Sequence, residues 1–174
     1  MLRPAGGKSR IGAEPNDHAL GLSHGGIGTK LHLATEGHGL PIGFVLTVGN
    51  RNECPTFEPL MQVARRCRSR CRWPERLAAD KGYSADKLRR WLRRRRIGVV
   101  IPMRDNEHVN DRDRFGVFDK DAYRERNVVE RCVGRLKECR RICTRFEKLA
   151  VNFGAMITIA MIAMYLKLPL SDRA

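Results

Sequence analysis

The sequence predicts an α/β fold, a mixed sheet flanked by helices. Three observations carry that expectation. Short apolar runs of strand character alternate with longer stretches whose apolar residues recur at helical spacing. Their order is hairpin, helix, strand, helix, strand, helix, helix, a pattern that lays helices over a partly parallel sheet. The chain has 174 residues, 42% of them apolar, enough for one domain with a real core and hardly enough for two.

Residues 1–28 hold seven glycines, two prolines and no periodic apolar pattern, which predicts a loop or disordered lead-in. Residues 29–168 then form the domain, and 169–174 a tail. The alternation in 29–35 predicts a half-buried strand. Glu36-Gly37-His38-Gly39 has turn chemistry and 41–48 reads as a second strand, so the pair forms an antiparallel hairpin. His32 falls on the polar side of its strand and is expected to be structural or at the surface.

Phe57, Leu60, Met61 and Ala64 predict a helix over 56–67. An arginine block follows at 65, 66, 68, 70 and 72, ended by Pro74. Leu77, Ala78 and Ala79 make a short apolar strand that stops at Asp80-Lys81-Gly82-Tyr83. Ser84 is placed to N-cap the next helix, with Asp86 in its first turn. That helix carries Leu88, Trp91 and Leu92 on one side and Arg89, Arg90 and Arg93 to Arg96 elsewhere. Gly98 is positioned as its C-cap, and 99–102 is a buried strand. Residues 104–121 read as a mobile polar insertion, and 149–168 as a last helix. Its apolar run, 153–166, falls short of the ~20 residues of a membrane span and predicts a buried helix.

The charge is unusual: 34 Lys and Arg against 19 Asp and Glu give a formal +15. Such a chain meets a nucleic acid, or an assembly that neutralises it. The six cysteines, with no apolar leader before them, are expected to be buried thiols in the reducing cytosol rather than disulfides or a zinc site.

The stretch 123–137 concentrates the chemistry. Tyr123, Arg126, Glu130 and Lys137 are spaced three, four and seven apart, so at about 100° per residue they share a face roughly 60° wide. Val128, Val129, Cys132, Val133, Leu136, Cys139 and Cys143 take the opposite arc. A solvated charged face would look the same. Asp80, however, ends a strand, where ligands of α/β sheets gather. Two carboxylates, Asp80 and Glu130, suit hard divalent cations with positions open to phosphate and water. Two such metals about 4 Å apart can activate a hydroxyl and stabilise the leaving oxygen of an in-line phosphoryl displacement.

Tyr123-x2-Arg126-x3-Glu130-x6-Lys137 resembles, in all four residue types and spacings, the signature around the third acid of DDE transposases from bacterial insertion sequences. Other stretches agree: Gly25-Gly26 before Thr29-Lys30-Leu31-His32, then Asp80-Lys81-Gly82-Tyr83 and Asn127-Val128-Val129-Glu130-Arg131. Arg145-Phe146-Glu147-Lys148-Leu149-Ala150, followed by Asn152-Phe153, agrees as well. Over nearly all of 17–168 the chain is similar to the insertion sequence five family. The resemblance implies an RNase H-like catalytic fold and Mg²⁺- or Mn²⁺-dependent cleavage and strand transfer at an element's ends. Asp80 would be the second acid and Glu130 the third, both metal ligands. Tyr123, Arg126 and Lys137 would hold phosphates or the transposon-end DNA.

The family's first acid lies mid-strand in an apolar run upstream of the glycine-rich loop, and nothing in 1–28 has that pattern. Asp17 has no apolar neighbours and is not expected to be catalytic. The expectation is therefore a partial domain lacking its first strand and first acid, the downstream part of a split or truncated enzyme. Expected partners are DNA (terminal inverted repeats and target), the upstream transposase half and further copies of the chain, in a cytoplasmic, nucleoid-associated setting without a membrane. The competing expectation is a catalytically inactive DNA binder that inhibits the full transposase. A role as an RNA-associated basic protein rests on charge alone and gains nothing from Asp80 and Glu130.

Overall fold

The alternation of Leu31 and Leu33 with Lys30 and His32 gives strand β3 (Gly26–Thr35) two unlike faces. It pairs antiparallel with β4 (Pro41–Val48), Leu31 opposite Leu46 and Leu33 opposite Phe44, which puts four apolar side chains on one face. Gly39 turns the hairpin at φ +88, where a Cβ would be strained. The computed structural model describes residues 3–4, 18–23, 26–67, 72–103 and 118–167. β3 begins at Gly26 rather than Thr29, because strand β2 (Gly21–Ser23) pairs antiparallel with its first residues. A two-residue strand, β1 (Arg3–Pro4), lies further upstream. Residues 3–4, 21–23 and 26–28 thus correct the expected loop. The rest of 1–17 (Asp17 included), the insertion 104–117, positions 68, 70 and 71, and the tail lie outside the described residues.

Helix α1 (Cys54–Cys67) buries Thr56, Phe57, Leu60, Met61 and Ala64. It crosses the polar face of the hairpin so closely that a Cβ on Gly43 would stand 2.7 Å from Val63 Cγ1. Strand β5 (Arg76–Ala78) runs parallel to β6 (Gly98–Val100), and helix α2 (Asp86–Arg94) connects them. Phe57, Met61, Leu88, Trp91, Leu92, Ile97 and Ile101 form one core between these elements.

Three local expectations change here. Ala85, not Ser84, occupies the N-cap of α2, and Ser84 is buried as the end of the preceding turn. The left-handed residue after α2 is Arg96, at φ 56, while Gly98 already belongs to β6. Arg89 leaves the polar set altogether. It is buried and donates to the carbonyls of Ser84, Ile101 and Pro102, which satisfies the chain ends on either side of α2.

The segment read as one helix is two. Helix α3 (Lys120–Arg124), N-capped by Asp119, stops before helix α4 (Asn127–Glu138), and i→i−3 bonds tighten the join. Residues 120 and 121 are therefore helical, not part of a loop. Short helix α5 (Arg140–Cys143) leads into β7 (Thr144–Arg145), which pairs parallel with β1, and helix α6 (Ala150–Leu166) ends the described chain. Cys132, Leu136, Ile142, Phe153 and Ile157 pack on the Leu31, Leu33, Phe44 and Leu46 face as a second core. The predicted apolar arc breaks at its end: Cys139 caps α4 outside the helix and Cys143 is exposed on α5.

Helix α6 was expected to be buried, but it buries Phe153 and Ile157 on one side and exposes Val151, Ile159, Ile162 and Leu166 on the other. Among the described residues no helix is long and apolar enough to cross a membrane. The α/β character stands, with parallel and antiparallel pairs both present. Among the described residues the expected single mixed sheet is divided into three ladders, β1–β7, β2–β3–β4 and β5–β6.

Candidate active site

Asp80 leaves β5 and caps a single 3₁₀ turn, Lys81–Tyr83. Its Oδ1 accepts from the Gly82 amide at 3.0 Å, and the side chain is exposed. The turn is held from three directions. The Tyr83 hydroxyl lies 3.0 Å from His32 Nδ1, Cys54 Sγ lies 3.3 Å from the Gly82 carbonyl oxygen, and the Tyr83 ring packs 5.7 Å from Phe57.

His32, 3% exposed, completes its hydrogen bonding with Thr47 Oγ1, 2.9 Å from Nε2. Burial, helped by the charge of Lys30, lowers the His32 pKa and keeps the ring neutral, although Glu53 and Asp80 pull the other way. Burial also raises the Tyr83 pKa, reinforced by the nearby Asp80 and Glu53 carboxylates, so its hydroxyl keeps its proton. Lys30 donates to Glu53 Oε1 at 2.7 Å and to the Arg51 carbonyl at 2.8 Å. Burial alone would raise the Glu53 pKa. The Lys30 hydrogen bond and charge outweigh it, and the net shift is downward. A Cβ on Gly82 would stand 3.0 Å from Asp80 Oδ1 and 3.6 Å from Glu53 Cδ, so both carboxyl groups flank this glycine.

Glu130, in the first turn of α4, is exposed and accepts from Arg126 at 2.8 Å. The Arg126 guanidinium lies over the Tyr123 ring, 5.2 Å from its centroid, and Tyr123 in turn packs against Phe118. Tyr123, Arg126 and Glu130 thus form one column across the α3–α4 join. Lys137 stands exposed near the far end of α4, apart from that column. No hydrogen bond or ion pair joins Asp80 to Glu130. Divalent cations of the Mg²⁺ class want oxygen donors, and these two residues supply the right type. Among the described residues, however, no group of three or more His, Cys, Asp and Glu is set to hold a metal. Asp80 and Glu130 by themselves are two oxygen-bearing side chains, short of such a group.

A basic surface adjoins the first core. Arg95 lies over Trp91, 3.7 Å from its centroid, and with Arg65 it also covers Trp73, which ties the C-terminal ends of α1 and α2 together. Arg66, Arg72, Arg94 and Arg96 are exposed around this stack. The arginine blocks were visible in the sequence, but their convergence on two tryptophans was not. Lys30, Glu53 and Tyr83 were likewise passed over as site neighbours. The only sequence signal is the polar strand face for Lys30 and the place beside Asp80 for Tyr83; Glu53, just ahead of α1, has none.

A family model described as the transposase DDE domain matches residues 15–165. The transposase described for insertion sequence element IS402 of Burkholderia cepacia is 31% identical over 157 residues, 88% of this chain and 67% of that protein. The one described for element IS6501 of Brucella ovis is 29% identical over 140 residues, 80% of this chain and 98% of that protein. No solved structure matches. With a family match over most of its length and relatives of this kind, the chain belongs to the DDE-domain transposases of insertion sequences, a family of DNA-processing enzymes.

Proposed function

We propose that the chain supplies the second and third acids, Asp80 and Glu130, of a transposase of the insertion sequence five type. In that reading it takes part in Mg²⁺- or Mn²⁺-dependent cleavage and strand transfer at the ends of an insertion sequence. The observation that carries this is the Tyr123–Arg126–Glu130 column: an exposed carboxylate beside cationic and phenolic groups, in a chain of formal charge +15. A carboxylate so placed can hold a metal while its neighbours hold phosphate. Tyr123, Arg126 and Lys137 then contact transposon-end DNA, and the arginine surface around Trp73 and Trp91 adds sequence-independent affinity.

The catalytic centre is incomplete without a third carboxylate. Among the described residues the β2–β3–β4 and β5–β6 ladders are separate, which supports an RNase H-like domain whose first strand, with its acid, lies outside those residues. The upstream part of the transposase is the natural source, and further copies of the chain join on the DNA ends. The complex would reside at the nucleoid.

A second reading is favoured by the same two acids, short of a metal-holding group among the described residues: a catalytically inactive DNA binder that competes with the full transposase. The two part in a direct assay. The 174-residue chain should bind duplex DNA with steep salt dependence and leave it uncut in Mg²⁺. Adding the upstream transposase polypeptide should restore cutting on the first reading. On the second it should not, and the chain should inhibit the intact enzyme.

A further inference from the structure

Asp80 belongs to a turn that no strand pairing ties to the β3–β4 hairpin, since among the described residues the two ladders are separate. What crosses between them is a line of side-chain hydrogen bonds. Thr47 on β4 meets His32 on β3 at 2.9 Å, and His32 meets Tyr83 at 3.0 Å. From Tyr83 the connection returns to Asp80 through the main chain, the Tyr83 amide donating to the Asp80 carbonyl at 3.1 Å. The neighbouring Gly82 amide holds the Asp80 side chain itself.

An apolar pair could fill the same space and would spare the cost of burying an imidazole and a phenol. What apolar groups cannot supply is direction. The neutral His32 ring has one donor and one acceptor nitrogen, and both are used, so ring and turn are held at a defined distance and angle.

We propose that His32 is a positioning residue for Asp80, acting through Tyr83 to fix the acid-bearing turn against the hairpin. The proposal deepens the reading of Asp80 as a metal-binding acid and rests on it. Its specific content is that the Nδ1 side of the imidazole matters for Asp80 and the Nε2 side much less. An asparagine at this position keeps a polar atom near Nδ1, while a glutamine keeps one near Nε2.

The test measures amide hydrogen exchange at Gly82 and Tyr83 by NMR in the full chain. Tyr83→Phe and His32→Gln are expected to speed exchange at Gly82 by about fivefold, as loss of one hydrogen bond would. His32→Asn should stay close to wild type, and the Leu92 amide in α2 should be unaffected by all three. The same variants are then placed in a transposition assay beside Asp80→Asn. Tyr83→Phe and His32→Gln should lower the frequency about tenfold, as removal of an orienting partner does, while His32→Asn retains it. Gly82 exchange unchanged in Tyr83→Phe, or His32→Asn as damaging as His32→Gln, would overturn the positioning role. Undiminished transposition with Asp80→Asn would instead overturn the reading of Asp80, and the exchange data would still decide the hydrogen-bond line on its own.

Discussion

The Arg126 guanidinium donates to Glu130 at 2.8 Å while its face covers the Tyr123 ring at 5.2 Å. Arg126 retains 24% of its side-chain exposure and Glu130 64%, so the pair is half in solvent. An ion pair of this kind stabilises a protein by no more than about 1 kcal/mol. On the proposed reading of Glu130 as a metal-binding acid, the pair would hold a cation where phosphate arrives and keep Glu130 extended toward it.

Arg126→Ala should therefore shift the melting temperature by less than about 4 °C. It should weaken binding to duplexes of any sequence and reduce the slope of log affinity against log salt by about one. Fluorescence anisotropy across a salt series reads both effects. A loss confined to one sequence would mean base contact rather than phosphate contact.

The arginines exposed around the Trp73–Trp91 stack predict an additive effect. Replacing Arg66, Arg94 and Arg96 together by alanine should lower the same slope by about three, independent of DNA sequence. Arg89, buried against three carbonyls, belongs to a different class. Its replacement should appear as lost stability rather than as a changed salt slope.

The pKa shifts give stability a pH dependence. His32 has a folded pKa below its ordinary 6.5, because burial and Lys30 disfavour its cation. The unfolded chain therefore binds the proton first. The stability is fully present above about pH 6.5 and is lost as pH falls below it toward the folded pKa. The charges of Lys30, which lowers the His32 pKa, and of Glu53 and Asp80, which raise it, act on the ring. Glu53, also lowered, adds loss in the same direction below its ordinary 4.5. Thermal melts from pH 7.5 to 5 should show falling stability in the wild type and a flatter dependence in His32→Asn.

Arg145 joins distant parts of the chain. It is buried, bonded to the Thr29 hydroxyl and to the carbonyls of Glu147 and Lys148, and its guanidinium lies 5.0 Å from the Phe153 ring centroid. Arg145→Met keeps much of the volume but leaves these oxygens without their donor. It should cost about 3 kcal/mol in chemical denaturation.

Element order was legible because periodicity reports burial on one face, and both strands of the hairpin and α1 and α2 follow it, while α6 was legible only as a continuous apolar run. The two-residue strands escaped because pairing with partners distant in sequence, not composition, makes Arg3–Pro4 and Thr144–Arg145 extended. The helix break at 125–126 escaped as well, since Tyr123, Arg126 and Glu130 keep nearly helical spacing across it. The placement of Asp80 just after a strand and of Glu130 on a helix could be read from the sequence. The His32–Tyr83 contact could not, because it joins residues 51 apart through packing. The buried Arg89 misled for a related reason: its arginine-rich setting points to solvent, and only the carbonyls around α2 explain its burial.

The most direct measurement is the frequency with which a marked insertion sequence, carrying this gene in its natural DNA context, moves to a new plasmid. Asp80→Asn and Glu130→Gln should each lower it by at least about 100-fold, with melting temperature and DNA affinity preserved, while Asp86→Asn leaves it unchanged. Wild-type frequency in either acid variant, or no movement of the wild-type element, would contradict the assignment of Asp80 and Glu130 as acids of a working transposase.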